Sequence, residues 1–268
     1  MNIRFDDRTV LITGGSSGIG LACAELFGSL GAKVSICGTN PGKLEKALAG
    51  LRSKGITAFG QICDVSKGGD IESFASGTEA ALGPINIWIS NAGIYPQYSL
   101  IDTDEALWDK GVDTNLKSVY LGARIAYQTM KNRGGVILLA SSFASLFPSV
   151  GSGLYAATKA AVSSMVKTLA AELAPYGIRV NGYIPGVIDT DMNRKPIETN
   201  GEALKNAIAL RTFGQPVDVA WALAFLASDY ARYITGASLE ISGGKMGVQN
   251  PAKAWEDKKI REHGSTDT

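Results

Sequence analysis

The sequence predicts an α/β fold in which helices cover both faces of a parallel β-sheet. Short apolar runs alternate with amphipathic stretches up to about residue 243, a rhythm typical of repeated strand–helix units. The apolar runs alternate little with polar residues, as expected of strands that are covered on both faces. Glycine makes up 32 of the 268 residues, well above the usual ~7%. This excess indicates tight turns or a backbone that approaches a ligand closely.

Seven short apolar segments are predicted as strands, and six longer amphipathic segments as the main helices between them. Gly31, Gly55, Gly83 and Gly177 follow four of these helices, and glycine commonly closes a helix. The predicted strands are 9–13, 33–37, 57–62, 85–90, 136–140, 179–183 and 238–241. The predicted helices are 18–30, 41–53, 68–82, 105–132, 152–176 and 216–228.

Two regions depart from this alternation. Residues 186–215 are polar and contain one short helical pattern at 202–210. This long insertion follows the sixth strand, a place where loops and lids often cover a ligand. Residues 245–268 are rich in Lys, Glu and Asp. We expect them to form a partly ordered extension beyond a single domain at 1–244.

The charge balance and the rarity of histidine exclude several classes of protein. Lys and Arg number 26 against 25 Asp and Glu, so the net charge of +1 creates no field that attracts nucleic acid or an anionic membrane. The single histidine, His263, lies in the charged tail. A Ser-His-Asp triad, a Cys-His nucleophile and an HExxH zinc site are therefore excluded. We expect no metal, nucleic acid or membrane partner.

Cysteine usage and hydropathy indicate the compartment. Cys23, Cys37 and Cys63 are odd in number and lie in apolar segments, as buried thiols in a reducing cytosol do. The first residues lack the apolar core of a secretory signal, and no run of about 18 apolar residues occurs. We therefore expect a cytoplasmic protein without disulfides.

The segment TGGSSGIG at 13–20 joins the first predicted strand to the first predicted helix. Its three glycines permit a tight turn, let backbone N–H groups reach a pyrophosphate at the helix N-terminus, and allow close helix packing. Their GxxxGxG spacing differs from GxGxxG, so glycines that serve the turn alone are the alternative interpretation. The residues predicted to contact a dinucleotide here are Gly14, Ser16, Ser17, Gly18, Ile19 and Gly20.

The end of the second predicted strand bears on the choice between NAD and NADP. A carboxylate there binds both ribose hydroxyls and repels a 2′-phosphate, but this strand ends in Gly38, Thr39 and Asn40. Thr39, Asn40 and Lys43 offer donors and a cation near a 2′-phosphate. We therefore favour NADP(H), with NAD(H) as the alternative. Asp64 is a candidate acceptor for the adenine amino group, or else an ordinary helix N-cap.

Two YxxxK pairs place a lysine one helical turn after a tyrosine. Tyr127 and Lys131 lie deep in a long helical pattern, where a ring beside a lysine stem is ordinary packing. Tyr155 and Lys159 instead begin a helix that follows a strand ending at Ser142. This second pair is therefore the candidate for catalysis.

Four predicted strand ends meet at one edge of the sheet. They are the glycine loop, the segment 91–93, Ser142 and the dipeptide 185–186. Ligands of open parallel sheets bind outside the carboxyl ends of the strands, so we expect one crevice there. A free tyrosine titrates near 10, and lowering its pKa by about three units needs roughly 4 kcal/mol in favour of the phenolate. The Lys159 ammonium and a cationic nicotinamide are plausible sources of that energy.

The motifs resemble those of the short-chain dehydrogenase/reductase family, in the same order and spacing, over residues 5–244. They are TGGSSGIG at 13–20, NAG at 91–93, Asn115 in DTNLKS, Ser142, YAATK at 155–159 and PGVIDT at 185–190. Ser90 replaces the asparagine that is commoner before NAG. The resemblance implies a Rossmann-type, doubly wound, seven-stranded parallel sheet of order 3-2-1-4-5-6-7. It also implies an oxidoreductase that moves a hydride between a nicotinamide and a carbonyl or secondary alcohol.

The resemblance further implies roles for individual residues. Tyr155 would be the general acid/base, Ser142 would orient the substrate oxygen, and Lys159 would lower the tyrosine pKa and hold the nicotinamide ribose. Asn115 would anchor a water that connects Lys159 to solvent, and Thr190 would bind the nicotinamide carboxamide. The other implied cofactor contacts are Gly38, Thr39, Asn40, Asp64, Val65, Asn91, Ala92, Gly93, Tyr155, Lys159, Pro185, Gly186, Val187 and Ile188.

The motifs leave the substrate open, because its candidate walls mix aromatic, aliphatic and polar residues. These walls are 94–98, 143–150 and the lid at 187–213. We expect Tyr95 and Phe143 to contact the substrate beside Ser142 and Tyr155. An epimerase or dehydratase is an alternative reaction, and a non-catalytic dinucleotide sensor is the alternative function. A sensor has no need of the four catalytic residues.

The resemblance also implies a homotetramer. The long helices at 105–132 and 152–176 would pair across one two-fold axis, and the last strand would pair across another. Alanines on the second helix allow close approach of a neighbouring helix. Packing within a single chain would use these alanines equally well.

Overall fold

The computed structural model describes residues 2–263, and this part of the chain contains a parallel sheet of seven strands. The strands are β1 (Thr9–Ile12), β2 (Lys33–Gly38), β3 (Ala58–Ile62), β4 (Ile85–Ser90), β5 (Gly135–Ala140), β6 (Ile178–Pro185) and β7 (Ser238–Ile241). Their order is β3-β2-β1-β4-β5-β6-β7. The predicted doubly wound fold is confirmed, and its topological switch point lies between β1 and β4.

Helices connect successive strands and flank the sheet. They are α1 (Gly18–Ser29), α2 (Pro41–Ser53), α3 (Gly68–Leu82), α4 (Glu105–Val112), α5 (Ser118–Met130), α6 (Gly153–Leu173), α7 (Arg194–Asn206), α8 (Pro216–Ala227) and α9 (Ala252–His263). The bounds of α2 and α3 are those predicted from the sequence. No helix within 2–263 is long and apolar enough to cross a membrane.

The core consists of two apolar layers, one on each face of the sheet. Val10 and Ile12 of β1 pack into the layer formed with α1, α2 and α8, while Leu11 between them faces α3, α5 and α6. The central strands are therefore buried on both faces, which explains why their sequences show no polar alternation. The three cysteines are free and buried, as expected.

The predicted helix at 105–132 is wrong in one respect, because a π-helical turn at Asp113–Lys117 separates α4 from α5. The side chain of Asn115 in this turn accepts from the backbone N–H of Ile94 at 2.8 Å and donates to its carbonyl at 2.9 Å. These bonds couple the wide turn to the loop after β4. Such turns are common at functional sites.

Two further helix bounds differ from prediction. The helix predicted at 152–176 ends earlier, at Leu173, and continues as a 3₁₀ turn at Ala174–Tyr176 that contains Pro175. Proline lacks the N–H that α-helical bonding requires. The short helix predicted at 202–210 is instead α7, which starts at Arg194 and has a kink at Asn200.

The charged tail contains a regular element. Residues 252–263 form α9, which lies within the extension predicted at 245–268. Residues 264–268 of that predicted extension lie outside the described part of the chain.

Candidate active site

The carboxyl ends of the strands open into one cleft of about 1640 Å³. The residues predicted for cofactor binding, substrate contact and catalysis line this cleft, with the exceptions of Gly20 and Asn115. Loops that follow six strands, β1 to β6, contribute to its walls. The structure thus brings together predicted site residues that lie up to 176 residues apart along the chain, from Gly14 to Thr190.

The glycine loop is shaped by two left-handed residues. Gly14 has φ +66° and Gly18 has φ +53°, a conformation that favours glycine. A Cβ atom on Gly14 would lie 2.9 Å from the Cα of Ala92, so the loop packs directly on the segment after β4. Gly20 lies behind the loop, where a Cβ would collide with the carbonyl of Gly14. Gly20 itself does not line the cleft, and its lack of a side chain permits packing of α1 on the loop.

The N-terminus of α1 faces the cleft without a side-chain cap. Ser17, its N-cap residue, makes no capping hydrogen bond, and the first turn contains no acidic residue. Free backbone N–H groups and the positive end of the helix dipole fit a pyrophosphate. Gly38 leaves room on the other side, since a Cβ there would lie 2.7 Å from the Oγ of Ser16. These features fit a dinucleotide.

Two polar side chains at the end of the cleft predicted for the adenine have protein partners. The carboxylate of Asp64 accepts from the backbone N–H of Ser66 at 3.1 Å and from its hydroxyl at 2.7 Å, and these bonds lower the pKa of Asp64. The N-cap of α3 is Lys67, so the N-cap interpretation of Asp64 is wrong. Asn40 caps α2 by accepting from the backbone N–H of Lys43 at 2.9 Å.

Asn91 ties together the loops at the switch point. Its Nδ2 donates to the carbonyls of Thr13 and Gly14, both at 3.2 Å, and its Oδ1 accepts from the hydroxyl of Tyr183 at 3.3 Å. The hydroxyl of Thr13 accepts in turn from the backbone N–H groups of Asn91 and Ala92. Sequence reasoning missed Thr13 and Tyr183 as site residues, although both lie at the ends of predicted strands.

Tyr155 lies half-buried in the first turn of α6, between Tyr95 and Ser142. The rings of Tyr95 and Tyr155 are in edge contact with centroids 4.8 Å apart. Burial is the main cause that raises the pKa of Tyr155, and a hydrogen bond from Ser142 partly offsets it. The phenol is therefore protonated at neutral pH. Lys159 is not among the causes of this shift, so the lowering of the Tyr155 pKa expected from it is not observed.

Lys159 is buried behind Tyr155. Its Nζ lies 5.7 Å from the Tyr155 ring centroid and donates to the carbonyl of Ala140 at 2.9 Å. Burial lowers the pKa of Lys159 from 10.5 to about 8, because a desolvated ammonium is disfavoured. The ammonium thus remains the main form at neutral pH.

Asn115 does not line the cleft, although it lies directly behind it. It is fully buried, and a Cβ on Gly93 would lie 3.1 Å from its Oδ1 and 3.6 Å from the Nζ of Lys159. Only glycine leaves this space open between the amide and the ammonium. Asn115 therefore acts on the site by holding the loop of Ile94 in place.

The other YxxxK pair, Tyr127 and Lys131, lies away from the cleft. The ring of Tyr127 is in edge contact with Tyr176, with centroids 4.9 Å apart, and Lys131 donates to Gln128 at 2.9 Å. Neither Tyr127 nor Lys131 lines the cleft. The arrangement supports the packing interpretation of this pair.

Comparison with known proteins identifies the family. The family model adh_short_C2, described as enoyl-(acyl carrier protein) reductase, matches residues 14–245. Dehydrogenase/reductase SDR family member 4 from Homo sapiens is 35% identical over 242 residues, which cover 89% of this chain and 87% of that protein. The chain belongs to the short-chain dehydrogenase/reductase family.

Other members of the short-chain dehydrogenase/reductase family are similarly close. The 3-oxoacyl-[acyl-carrier-protein] reductase FabG of Rickettsia typhi is 38% identical over 92% of this chain and 100% of its own length. L-rhamnose 1-dehydrogenase (NAD(P)(+)) of Azotobacter vinelandii is 36% identical over 89% of this chain and 96% of its own. A dehydrogenase/reductase from Sinorhizobium meliloti 1021 superposes with a TM-score of 0.87 at 34% identity, covering 91% of this chain and 97% of that one.

This short-chain dehydrogenase/reductase is an oxidoreductase that transfers a hydride between a nicotinamide dinucleotide and a carbonyl or alcohol group. The alternative of a non-catalytic sensor is not favoured, since the relatives are named as dehydrogenases and reductases.

The tail forms an additional wall of the cleft, and all of this wall except Lys245 lies beyond the region that the family model matches. The indole Nε1 of Trp255 on α9 donates to the carbonyl of Ala209 at 2.9 Å. The guanidinium of Arg211 lies 5.6 Å from the Trp255 ring centroid and donates to the carbonyl of Ala252 at 3.4 Å. Sequence reasoning missed this wall because the tail has no motif, only a charged composition. The tail residues in the wall are Lys245, Met246, Val248, Asn250, Pro251, Ala252, Lys253 and Glu256.

Proposed function

We propose that the protein reduces a carbonyl, or oxidises the corresponding secondary alcohol, with Tyr155 as the proton donor and acceptor. The observation that carries this proposal is the buried contact of Tyr155 with Ser142 and Tyr95 inside the cleft. A bound nicotinamide dinucleotide supplies the hydride acceptor or donor. The Tyr155→Phe variant described in the Discussion tests the assignment.

In this proposal each buried polar side chain has one task. The Tyr155 hydroxyl donates its proton to the substrate oxygen during reduction, and the Ser142 hydroxyl orients that oxygen. The Lys159 ammonium stabilises the phenolate that results, because it lies one turn along the same face of α6. Asn115 is a positioning residue, which holds the loop at Ile94 through two backbone hydrogen bonds.

The cofactor contacts follow the lining of the cleft. We assign the pyrophosphate to the backbone of the glycine loop and the N-terminus of α1. The adenine end lies between Asp64 and Val65, and the nicotinamide end lies near Thr190 and the segment 185–188. A Cβ on Gly18 would lie 3.3 Å from the Cγ2 of Thr190, so the glycine loop and the loop after β6 enclose the cofactor from two sides.

We further propose that NADP(H) is preferred over NAD(H). No carboxylate stands at Gly38, Thr39 or Asn40 to repel a 2′-phosphate. Lys43 lines the cleft beside them and forms a half-exposed ion pair with Asp191 at 3.1 Å. A 2′-phosphate competes with Asp191 for this ammonium, so the preference for NADP(H) is modest.

The Lys43→Met variant is expected to bind NADPH about fivefold more weakly than the native protein, because an exposed ion pair contributes about 1 kcal/mol. Its affinity for NADH should stay unchanged. Titration of each cofactor, followed by nicotinamide fluorescence, measures both. Lys46→Met on the same helix is the matched control, since Lys46 is exposed and does not line the cleft. Tighter binding of NADH than NADPH by the native protein would overturn the preference.

We propose a cytoplasmic homotetramer whose subunits each form one catalytic domain at 1–244, with a lid at 186–215 and the tail at 245–268. Two exposed apolar faces support this assembly. Trp108 and Tyr120 are exposed on α4 and α5, and Trp221 and Leu239 are exposed on α8 and the edge strand β7. Sedimentation equilibrium should give a species near four times 28.1 kDa. A monomer at micromolar concentration contradicts the assembly.

A further inference from the structure

Lys245 places a cation on the wall of the cleft that also carries Ser142. Its Nζ lies 5.2 Å from the centroid of the Phe143 ring, and Phe143 directly follows Ser142 in the chain. All three residues line the cleft. The ammonium therefore lies on the side where the substrate oxygen is expected, away from the adenine end.

The turn that carries Lys245 is tightly packed. Gly243 and Gly244 have φ +64° and +80°, and a Cβ on either would lie within 2.9 Å of Ile208 or Ala209. The backbone N–H of Lys245 donates to the Oγ of Ser242 at 3.1 Å. This packing holds the turn against the lid and fixes the point from which the lysine side chain extends.

The ammonium of Lys245 has no anionic partner within the described residues. No carboxylate of residues 2–263 lies within 4.0 Å of its Nζ, and burial lowers the pKa of Lys245. Other lysines of the cleft are more exposed or paired: Lys43 pairs with Asp191 at 3.1 Å, and Lys253 with Asp257 at 3.6 Å. A half-buried cation without an anion is unfavourable, so an anionic group on a ligand would improve its environment.

We propose that Lys245 binds a carboxylate of the substrate, and that the substrates are oxo acids and the corresponding hydroxy acids. This inference rests on the proposed function, since it assigns the other end of the molecule that Tyr155 and Ser142 act on. A carboxylate fits better than a phosphate, because dianionic phosphates are usually bound by several donors or by arginine. Here a single lysine lies near the apolar side chains of Phe143 and Met246. Glu256, which also lines the cleft, is negatively charged and would disfavour a dianion more than a monoanion.

The Lys245→Met variant tests this subsite with pairs of probes that differ only in charge. The probes are acetoacetate and levulinate, each beside its methyl ester, assayed for turnover with NADPH. Loss of a charge-assisted hydrogen bond is expected to lower kcat/KM for each acid about ten- to a hundredfold relative to its ester. Lys205→Met is the matched control. Lys205 lies 5.5 Å from the centroid of Phe213 in the same geometry, but outside the cleft lining.

Binding of the same probes to the complex with NADP⁺, measured by calorimetry, separates the two proposals. The subsite requires that the native protein binds at least one acid more tightly than its ester and that Lys245→Met loses this difference. Equal binding of acid and ester, or an equal loss for both in the variant, would overturn it. If the acids bind selectively but no probe is turned over, the subsite stands and the proposed function fails for these substrates.

Discussion

Replacing Tyr155 with phenylalanine is expected to lower kcat by about a hundred- to ten-thousandfold, the usual contribution of a positioned general acid. The substitution removes the hydroxyl that donates the proton in the proposed mechanism. It keeps the aromatic ring that contacts Tyr95. Affinity for NADPH should be retained, because the glycine loop and the N-terminus of α1 are unchanged. Steady-state rates and fluorescence titration measure the two properties separately.

Tyr127→Phe is the matched control for this experiment. Tyr127 has the same spacing to a lysine as Tyr155, and it also packs against another tyrosine ring. It lies outside the cleft lining, so its loss should leave kcat unchanged. Equal losses of activity in the two variants would refute the assignment of Tyr155.

Replacing Lys159 with methionine is expected to lower kcat by at least about a hundredfold and to make the folded protein more stable at neutral pH. Burial lowers the pKa of Lys159 from 10.5 to about 8, so the unfolded state binds more protons between these values. Stability of the native protein therefore rises with pH across that window, by at most about 3 kcal/mol. Below about pH 8 Lys159 is charged in the folded protein, and the full desolvation cost of its ammonium lowers the free energy of unfolding.

Urea unfolding at neutral and at alkaline pH measures this effect. The methionine variant lacks the titrating group, so its advantage over the native protein should shrink as the pH rises from about 8. Lys131→Met, in the YxxxK pair with Tyr127 outside the cleft, controls for the loss of a positive charge. A Lys159→Met protein that is less stable than the native one at neutral pH would contradict the interpretation. The carbonyl of Ala140, which loses its donor, then dominates instead.

These two predictions have a common physical basis. Tyr155 and Lys159 are polar groups that the fold buries at a cost, and the proposed chemistry depends on both remaining desolvated. Burial keeps the Tyr155 phenol protonated by raising its pKa, and the ammonium needs to stay charged when the phenolate forms. A site built this way exchanges some stability for reactivity.

The Rossmann-type sheet was predictable from local sequence because each central strand is apolar on both faces. The bounds of β4 and β7 are those predicted, and other strands differ by one or two residues. Helix bounds were less predictable where tertiary contacts decide them. The π-helical turn around Asn115 depends on hydrogen bonds to Ile94, 21 residues earlier. Local helix propensity cannot predict a contact between residues so far apart in sequence.

The candidate site also combines features that local sequence predicts with features that tertiary contacts decide. The motifs around Gly14, Asn91, Tyr155 and Thr190 predicted about half of the cleft lining, because parallel strands place their carboxyl ends at one edge. Glycines that pack a helix on a loop, as Gly20 does, look the same in sequence as those that contact phosphate. The sequence also did not show that the cap of α2 engages the Oδ1 of Asn40 and that Asp191 pairs with Lys43.

The sequence by itself determined the sheet, the glycine loop and the pair of Tyr155 and Lys159, since hydrophobic periodicity and motif spacing are local properties of the chain. Only the tertiary structure decided that Lys159 donates to Ala140, that the tail closes one wall of the cleft, and that Lys245 faces Phe143. Each of these features is a contact between residues distant in sequence. The energy of each contact depends on burial and on the partner that the fold brings near. Neither can be inferred from the residues that are adjacent in sequence.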